Sequence, residues 1–226
     1  MFSKTDIVDD FIAPLCAEEI TVVYQDEHLL LINKPSGLLS LSGKNPLNKD
    51  SVHWRLVQSF PKATLLHRLD FSTSGLMLVA LNKEVNGLLT KQFQERRISK
   101  RYIAILEGWT EKNHGFIEAP IAKDPTLFPR LKICDISGKV AKTEYRVLMR
   151  EDEPRRTRVE FIPHTGRTHQ LRIHSLALGY PILGCDLYSS ATSHQGADRL
   201  LLHASQLEFV HPVTHKLLSI QCECPF

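Results

Sequence analysis

The distribution of apolar residues predicts a chain of many short strands and few helices. The clearest strand follows Gly75, where six consecutive apolar residues, 76–81, have the pattern of a strand buried on both faces. Short or alternating apolar runs predict further strands at 21–24, 29–33, 102–106, 141–149, 157–162, 200–209 and 217–222. Apolar residues at helical spacing predict helices at about 51–60, 82–93 and 168–178, and residues 109–140 are expected to form hairpins and loops.

The order of these elements indicates the fold class. Most of the predicted strands are joined by loops, which favours an α+β fold with a mixed, largely antiparallel sheet flanked by a few helices. The sequence contains no Gly-, Ser- or Pro-rich linker, no internal repeat and no low-complexity tract. We therefore expect a single domain over residues 20–226, preceded by an irregular lead-in over residues 1–19.

The composition adds a slightly basic balance to this picture. The 226 residues are 42% hydrophobic, and 28 Lys and Arg against 25 Asp and Glu permit nucleic-acid binding without requiring it. No apolar run approaches the roughly 20 residues of a membrane helix, and the chain begins with an acidic segment, so a cytoplasmic protein without membrane association is expected. Five scattered cysteines, an odd number, argue against a disulfide framework.

Asp70 lies in a polar loop immediately before the buried strand. Hydroxyl side chains and Gly75 follow it, and an Asp in such a loop ordinarily forms a turn. The same layout also presents a carboxylate on a rigid support. The residues around Asp70 favour the turn and leave a catalytic role open.

Three basic clusters are the other candidates for function: 67–68, 100–101 and 164–174. In the third cluster, His169 and Arg172 are three residues apart and share one face of the predicted helix, while Arg167 lies near its start. A solvated basic helix is the ordinary interpretation, and an anion or a carboxylate partner is the alternative.

The sequence offers little support for a metal site. His164, His169 and His174 are spaced by five residues, which separates their side chains around a helix, and Cys222 and Cys224 have no second cysteine pair. A phosphate-binding glycine loop and a serine nucleophile elbow are also absent from the sequence. We expect neither a metal nor a cofactor.

Four motifs in order carry a family resemblance. They read NKPSG at 33–37, HRLDFSTSGLMLVA at 67–80, KRYIAILEG at 100–108 and HTGRTHQLRIHSLALGYPILG at 164–184. With these motifs, residues 20–222 closely resemble the RluA family of RNA pseudouridine synthases. The resemblance implies an isomerase that converts uridine to pseudouridine in structured RNA, with no cofactor, no metal and no obligatory protein partner, and we expect a monomer.

The resemblance also implies roles for individual residues. Asp70 would be the essential catalytic carboxylate, Tyr102 would stack on the target uracil, and Arg172 would form a salt bridge with Asp70. Arg68 would enter the RNA and occupy the space that the flipped base leaves. The residues expected to bind substrate are His67, Arg68, Arg167, His169, Lys34 and Leu76.

One segment departs from the family pattern. Many relatives have Asp directly after the glycine that corresponds to Gly184, where this chain has Cys185 followed by Asp186. Either Asp186 replaces the missing carboxylate from one position later, or Cys185 simply packs there. The RNA contacts of residues 185–188 depend on which alternative holds.

The substrate expectation follows from length. About 20 residues precede the first predicted strand, so the amino-terminal RNA-binding module of many relatives is expected to be absent. The chain is most similar to short RluA-type enzymes, which modify a stem-loop uridine in large-subunit ribosomal RNA and in the tRNA anticodon arm. The alternatives are a synthase acting elsewhere on tRNA, an RNA-binding module without catalysis and a metal-dependent hydrolase.

Overall fold

The computed structural model describes residues 11–226, which form twelve strands and four α-helices. The strands are β1 (Thr21–Gln25), β2 (Leu29–Lys34), β3 (Thr64–Leu65), β4 (Ser74–Ala80), β5 (Ser99–Glu107), β6 (His114–Glu118), β7 (Ile121–Lys123), β8 (Leu131–Ile133), β9 (Lys142–Asp152), β10 (Arg155–Pro163), β11 (Leu202–Val210) and β12 (Leu217–Gln221). The helices are α1 (Val52–Leu56), α2 (Lys83–Gln94), α3 (Gln170–Ala177) and α4 (Ala191–Gln195). Residues 11–20 are irregular, and the first half of the predicted lead-in lies outside the described residues.

Ten strands form one mixed sheet, which confirms the predicted fold class. The central order is β1-β2-β4-β11-β5-β10-β9-β6, with β3 paired to β4 and β12 paired to β11. The pairing of β4 with β11 is parallel and the other ladders of this sheet are antiparallel, while β7 and β8 form a separate hairpin.

Strand β4 is the best-buried strand of the sheet, as its apolar sequence predicts. All seven of its residues are buried. Because successive side chains of a strand point to opposite faces, Leu76 and Leu78 pack with helix α2, while Met77 and Val79 pack with α1. The loop before β4 is therefore attached to a strand that is fixed on both sides.

The parallel contact of β4 with β11 depends on a glycine. Gly75 has φ +115°, and a Cβ at this position would lie 2.4 Å from the Ala204 carbonyl oxygen. Only glycine permits both this backbone conformation and this approach. The contact joins the β1–β2–β4 part of the sheet to the β11–β5–β10 part.

Helix ends follow the local sequence, with several corrections to the predicted lengths. Ser51 and Asn82 cap α1 and α2, close to the predicted helix starts at about 51 and 82, but α1 ends at Leu56 instead of near residue 60. Leu88 of α2 is 41% exposed. The charged segment 150–156 is mostly strand, since β9 and β10 continue to a tight turn. No helix within residues 11–226 has the length and apolar character of a membrane span.

Candidate active site

The loop that carries Asp70 is held by the segment that follows β2. Ser40 Oγ donates to the Leu69 carbonyl at 2.7 Å and accepts from the Leu69 N–H at 3.2 Å. The Gly37 N–H donates to the Phe71 carbonyl at 3.0 Å. Bonds on both sides of Asp70 therefore fix its backbone, while its side chain keeps 24% exposure and can be reached from solvent.

Arg172 on helix α3 is the cation that faces Asp70. Its side chain is 3% exposed, and Nη1 lies 3.7 Å from Asp70 Oδ2. Nη2 contacts Asp186, and Nε donates to Cys185 Sγ at 3.4 Å. Burial opposes the charge, but Cys185, Asp70 and Asp186 outweigh it and raise the pKa of Arg172. One buried guanidinium thus stands between two carboxylates.

This geometry answers the question that the departure at 185–186 raised. Cys185 is fully buried in the core cluster that includes β5, β10 and α3. Asp186 is half exposed and pairs with Arg172. The thiol therefore packs in the core, while the next residue supplies a carboxylate to Arg172.

His169 approaches Asp70 from the start of α3. Its Nε2 lies 3.9 Å from Asp70 Oδ1, and its Nδ1 is 2.8 Å from Tyr188 Oη. Tyr188 Oη already accepts the Leu131 N–H at 2.8 Å, so its own O–H is available to His169 Nδ1. Burial lowers the pKa of His169 and so favours the neutral ring, whose Nε2 faces the carboxylate.

The backbone of His169 is unusual for its residue type. It has φ 55°, in the left-handed region that non-glycine residues rarely adopt. Such conformations persist where the surrounding structure imposes them, and they concentrate at functional sites. Here the conformation precedes α3 and accompanies the approach of the ring to Asp70.

Tyr102 lies on β5 between two core clusters. Its ring packs against both, and its strand neighbours are Phe161 on β10 and Ala204 on β11. Burial and the charge of Asp70 raise the pKa of the Tyr102 phenol, so it stays neutral at physiological pH. A neutral aromatic ring therefore lies within the electrostatic reach of the carboxylate.

The remaining basic residues of the predicted site differ in their surroundings. Arg68 is exposed next to Leu69, and its side chain has no ion pair with another described residue. Arg167 is partly buried, with Nε donating to the Val140 carbonyl at 3.0 Å. His67 accepts the Leu78 N–H at 3.0 Å, and burial together with Lys100 lowers its pKa to about 3, so it is a neutral structural acceptor in this position.

Two residues expected to bind substrate have positions that do not fit that role. Lys34 is fully buried, and its ammonium donates to the carbonyls of Pro35, Leu38 and Phe71 at 2.8, 2.8 and 3.1 Å. Leu76 is fully buried in the cluster beneath α2. Burial explains both corrections, because neither side chain reaches the surface on which Asp70 opens.

The three histidines of the third motif do not converge on one point. His174 is bonded to Thr143 Oγ1 and the Ala119 carbonyl, whereas His169 is bonded to Tyr188 and His164 lies beside Glu144. Within residues 11–226, no group of three or more His, Cys, Asp or Glu side chains is arranged to hold a metal ion.

Tyr188 is the site residue that sequence reasoning missed. Besides its bond to His169, its ring lies 5.3 Å from the Arg172 guanidinium carbon. Its sequence neighbours are hydroxyl residues and an irregular turn, and no periodic pattern distinguishes it. Its position after the unusual 185–186 segment was the only signal.

Comparison with known proteins identifies the family. Residues 28–177 match the family described as RNA pseudouridylate synthase. The chain is 46% identical over 205 residues to the dual-specificity RNA pseudouridine synthase RluA of Yersinia pestis, covering 91% of this chain and 99% of that protein. It is 41% identical over 207 residues to the protein of the same name from Escherichia coli K12, covering 92% and 94%.

Solved structures agree with this assignment. Human RNA Pseudouridylate Synthase Domain Containing 1 superposes with a TM-score of 0.78 at 30% identity, covering 94% of this chain and 86% of that one. Human RNA Pseudouridylate Synthase Domain Containing 4 superposes with a TM-score of 0.71 at 27% identity, covering 91% and 88%. The chain therefore belongs to the RluA family of RNA pseudouridine synthases, as its four motifs predict.

Proposed function

We propose that this protein isomerises uridine to pseudouridine through Asp70, in a stem-loop of ribosomal RNA and in the tRNA anticodon arm. The curated relatives described above are named as dual-specificity enzymes, which supports two RNA substrates for this chain. We further propose that it acts as a cytoplasmic monomer without an obligatory protein partner. Residues 20–226 would form its catalytic domain.

The observation that carries the proposal is an accessible carboxylate facing a buried cation beside a neutral aromatic ring. The Arg172 guanidinium attracts the Asp70 carboxylate and fixes its direction, since its Nη1 lies 3.7 Å from Oδ2. An ionised carboxylate can act on the ribose as nucleophile or as base. Asp186 also pairs with Arg172, but Asp70 is the carboxylate that lies within electrostatic reach of Tyr102.

The reaction explains why a carboxylate, a cation and an aromatic ring are the kinds of group that the site needs. The bond from ribose carbon 1′ to uracil nitrogen 1 breaks, the uracil turns, and carbon 5 forms the new bond to carbon 1′. Carbon 5 then loses its hydrogen as a proton and nitrogen 1 gains a proton, so the composition of the nucleoside is unchanged. The uridine must first leave its stack, and an aromatic face such as that of Tyr102 can hold the extruded base. Exposed Arg68 would occupy the vacated space in the RNA.

Tritium release from RNA labelled at uridine carbon 5 tests this function. The wild-type protein should release tritium from an anticodon stem-loop transcript and from a ribosomal stem-loop transcript. Asp70→Asn keeps the shape of the side chain but not its charge, so we expect a rate lower by on the order of 10⁴-fold or more with RNA binding preserved. Turnover by Asp70→Asn near the wild-type rate would refute the assignment of the carboxylate.

A second variant tests the role of the aromatic ring. Tyr102→Phe keeps the stacking face and removes only the hydroxyl, so RNA binding should stay within about 3-fold of wild type. A large loss of binding in Tyr102→Phe would show that the hydroxyl contributes and would contradict a pure stacking role. Mapping of pseudouridine in RNA from cells that lack the protein would then identify the modified positions.

A further inference from the structure

A groove beside the candidate active site is lined by basic side chains. It has a volume of about 550 Å³ and lies between the end of helix α2 and the turn from β10 to α3. We call it the basic groove; its lining residues are Phe93, Gln94, Arg96, Arg97, Ile98, Ser99, Lys100, Ile162, Pro163, His164, Thr165, Gly166 and Arg167. Five of them are Arg, Lys or His, and none is Asp or Glu.

Three cations of the basic groove have no carboxylate partner in the described part of the chain. Arg97 pairs with Glu95, and His164 lies 3.5 Å from Glu144 Oε2. By contrast, no described Asp or Glu lies within 4 Å of the charged groups of Arg96, Lys100 or Arg167. The three remain available to an anion from outside the protein.

Lys100 gives the strongest indication that an anion belongs there. Its ammonium is partly buried and 5.9 Å from the centroid of the Phe93 ring, and a Cβ on Gly166 would lie only 3.4 Å from its Nζ. Burial lowers the pKa of Lys100, which reflects a cation that has lost hydration without gaining a carboxylate. A bound anion would offset that loss.

Arg96 occupies a position where glycine would be more stable. The Arg96 N–H bonds the Phe93 carbonyl and the Arg97 N–H bonds the Gln92 carbonyl, which is the hydrogen-bond pattern of a Schellman helix end. The residue at this point is left-handed, with φ 56°, and is usually glycine. An arginine at a position that favours glycine is a second, independent indication that the arginine side chain has a function.

Two lining residues of the basic groove are close neighbours in sequence of residues in the candidate active site. Lys100 and Tyr102 are two residues apart on β5, so their side chains leave the same face of the strand about 7 Å apart. Arg167 likewise precedes His169 by two residues, and the Lys100 charge reaches His67 at the start of the Asp70 loop. A strand of RNA with its uridine at Asp70 would therefore pass close to the groove.

We propose that the basic groove binds backbone phosphates of the RNA strand next to the target uridine. This inference rests on the proposed function, because it takes RNA as the substrate. The volume accommodates a phosphate with its sugar. Lys and Arg side chains that contact phosphates position a strand without reading its bases. Arg96, Lys100 and Arg167 would fix the register of the strand on Asp70 and would not select its sequence.

Binding of an anticodon stem-loop transcript at several salt concentrations tests the groove. Lys100→Met and Arg96→Gln should each raise Kd by about 5- to 20-fold and reduce the slope of log Kd against log salt by about 0.7–0.9, the value for one lost phosphate contact. Lys112→Met is the matched control, since Lys112 is exposed beyond the other end of β5. Its slope and Kd should equal those of wild type.

Arg96→Gly separates binding from folding. Glycine suits the left-handed conformation, so the Tm of this variant should rise by about 2–4 °C while its RNA affinity falls. A structural role for the Arg96 side chain predicts a lower Tm instead. Because Arg96 is exposed, this variant and Arg96→Gln keep the test decisive even if Lys100→Met does not fold.

Transcripts with a single uncharged methylphosphonate linkage locate the contact. Wild-type binding should weaken at one or two linkages adjacent to the target uridine, and Lys100→Met should lose no further affinity at those linkages. Equal losses in wild type and variant, or an unchanged salt slope in both groove variants, would overturn the proposal. Wild-type turnover on the same transcript is measured separately. A lack of wild-type turnover would contradict the proposed function, whereas normal binding by the groove variants would contradict only the proposal about the groove.

Discussion

The cluster around Asp70 and the basic groove both contain several cations, and they differ in what faces those cations. In the cluster, Arg172 is almost fully buried and has Asp70 and Asp186 as partners. In the groove, Arg96 and Lys100 have no carboxylate partner among the described residues. The cluster is complete by itself, whereas the groove is completed by an anion from outside.

This difference suggests separate tasks for the two regions. A charge that is paired within the protein keeps a fixed position and orientation, which is what a reacting carboxylate requires. An unpaired charge at a groove adds attraction and register, and its effect decreases with salt. Substitutions in the cluster should therefore change kcat, and substitutions in the groove should change KM and Kd.

Of the substitutions that follow, Arg172→Met is expected to have the largest effect. It leaves Asp70 and Asp186 without their shared cation, so kcat should fall by about 10²- to 10⁴-fold with KM changed by less than about 3-fold. Steady-state kinetics would check both parameters. If KM rose while kcat stayed unchanged, Arg172 would belong with the groove residues.

Lys34→Met tests a basic residue of a third kind, whose amine donates hydrogen bonds to backbone carbonyls and not to a carboxylate or an outside anion. Three carbonyls lose their donor, so the free energy of unfolding should fall by about 3 kcal/mol while the salt slope of RNA binding stays unchanged. Urea denaturation measures the loss, with Lys44→Met as the control because Lys44 is exposed on the neighbouring loop. A Lys34→Met variant that is as stable as wild type but binds RNA more weakly would show that Lys34 contributes to substrate binding.

Tyr188→Phe tests the role of the Tyr188 hydroxyl within the cluster around Asp70. The ring over Arg172 remains, but His169 Nδ1 and the Leu131 N–H both lose the Tyr188 hydroxyl. A hydroxyl that only orients another side chain should cost about 10-fold in kcat and leave KM unchanged. Steady-state kinetics would check this, and a rise in KM alone would place Tyr188 in RNA binding.

His67→Gln is expected to have the smallest effect. His67 lies between the cluster around Asp70 and the basic groove. Its pKa is about 3 in the folded protein and about 6.5 when unfolded, so between these values only the unfolded chain binds the proton. Stability from this residue is therefore complete above pH 6.5 and declines as the pH falls. In the variant, the loss of unfolding free energy between pH 7 and pH 5 should be smaller by up to about 2 kcal/mol, as measured by urea denaturation at both pH values.

The fold was largely predictable because its signals are local. The apolar run of β4, the cap residues of α1 and α2 and the strands at 21–25 and 202–210 lie close to their predicted bounds. The errors also have local causes. Helix α1 is shorter because the residues after Leu56 form turns, and the 150–156 segment continues as strand because cross-strand pairing of β9 with β10 outweighs its charged composition.

The candidate site was predictable only in part. The motif residues Asp70, Tyr102, Arg172 and His169 do converge, since Tyr102 and Arg172 both lie within the electrostatic reach of Asp70. Lys34 and Leu76 belong to the same motifs yet are buried away from that surface. A motif records which residues accompany a function, and it does not separate those that contact a substrate from those that hold the loop in place.

By itself, the sequence determined the α+β class and the family, and it predicted Asp70 as the candidate catalytic carboxylate. Only the tertiary structure decided that Asp186 shares Arg172 with Asp70, that Tyr188 orients His169, and that Arg96 and Lys100 face a groove without carboxylates. The physical reason is distance along the chain. Strand and helix signals depend on neighbours a few residues apart, whereas pairing and burial of charge depend on groups that only the folded sheet brings together.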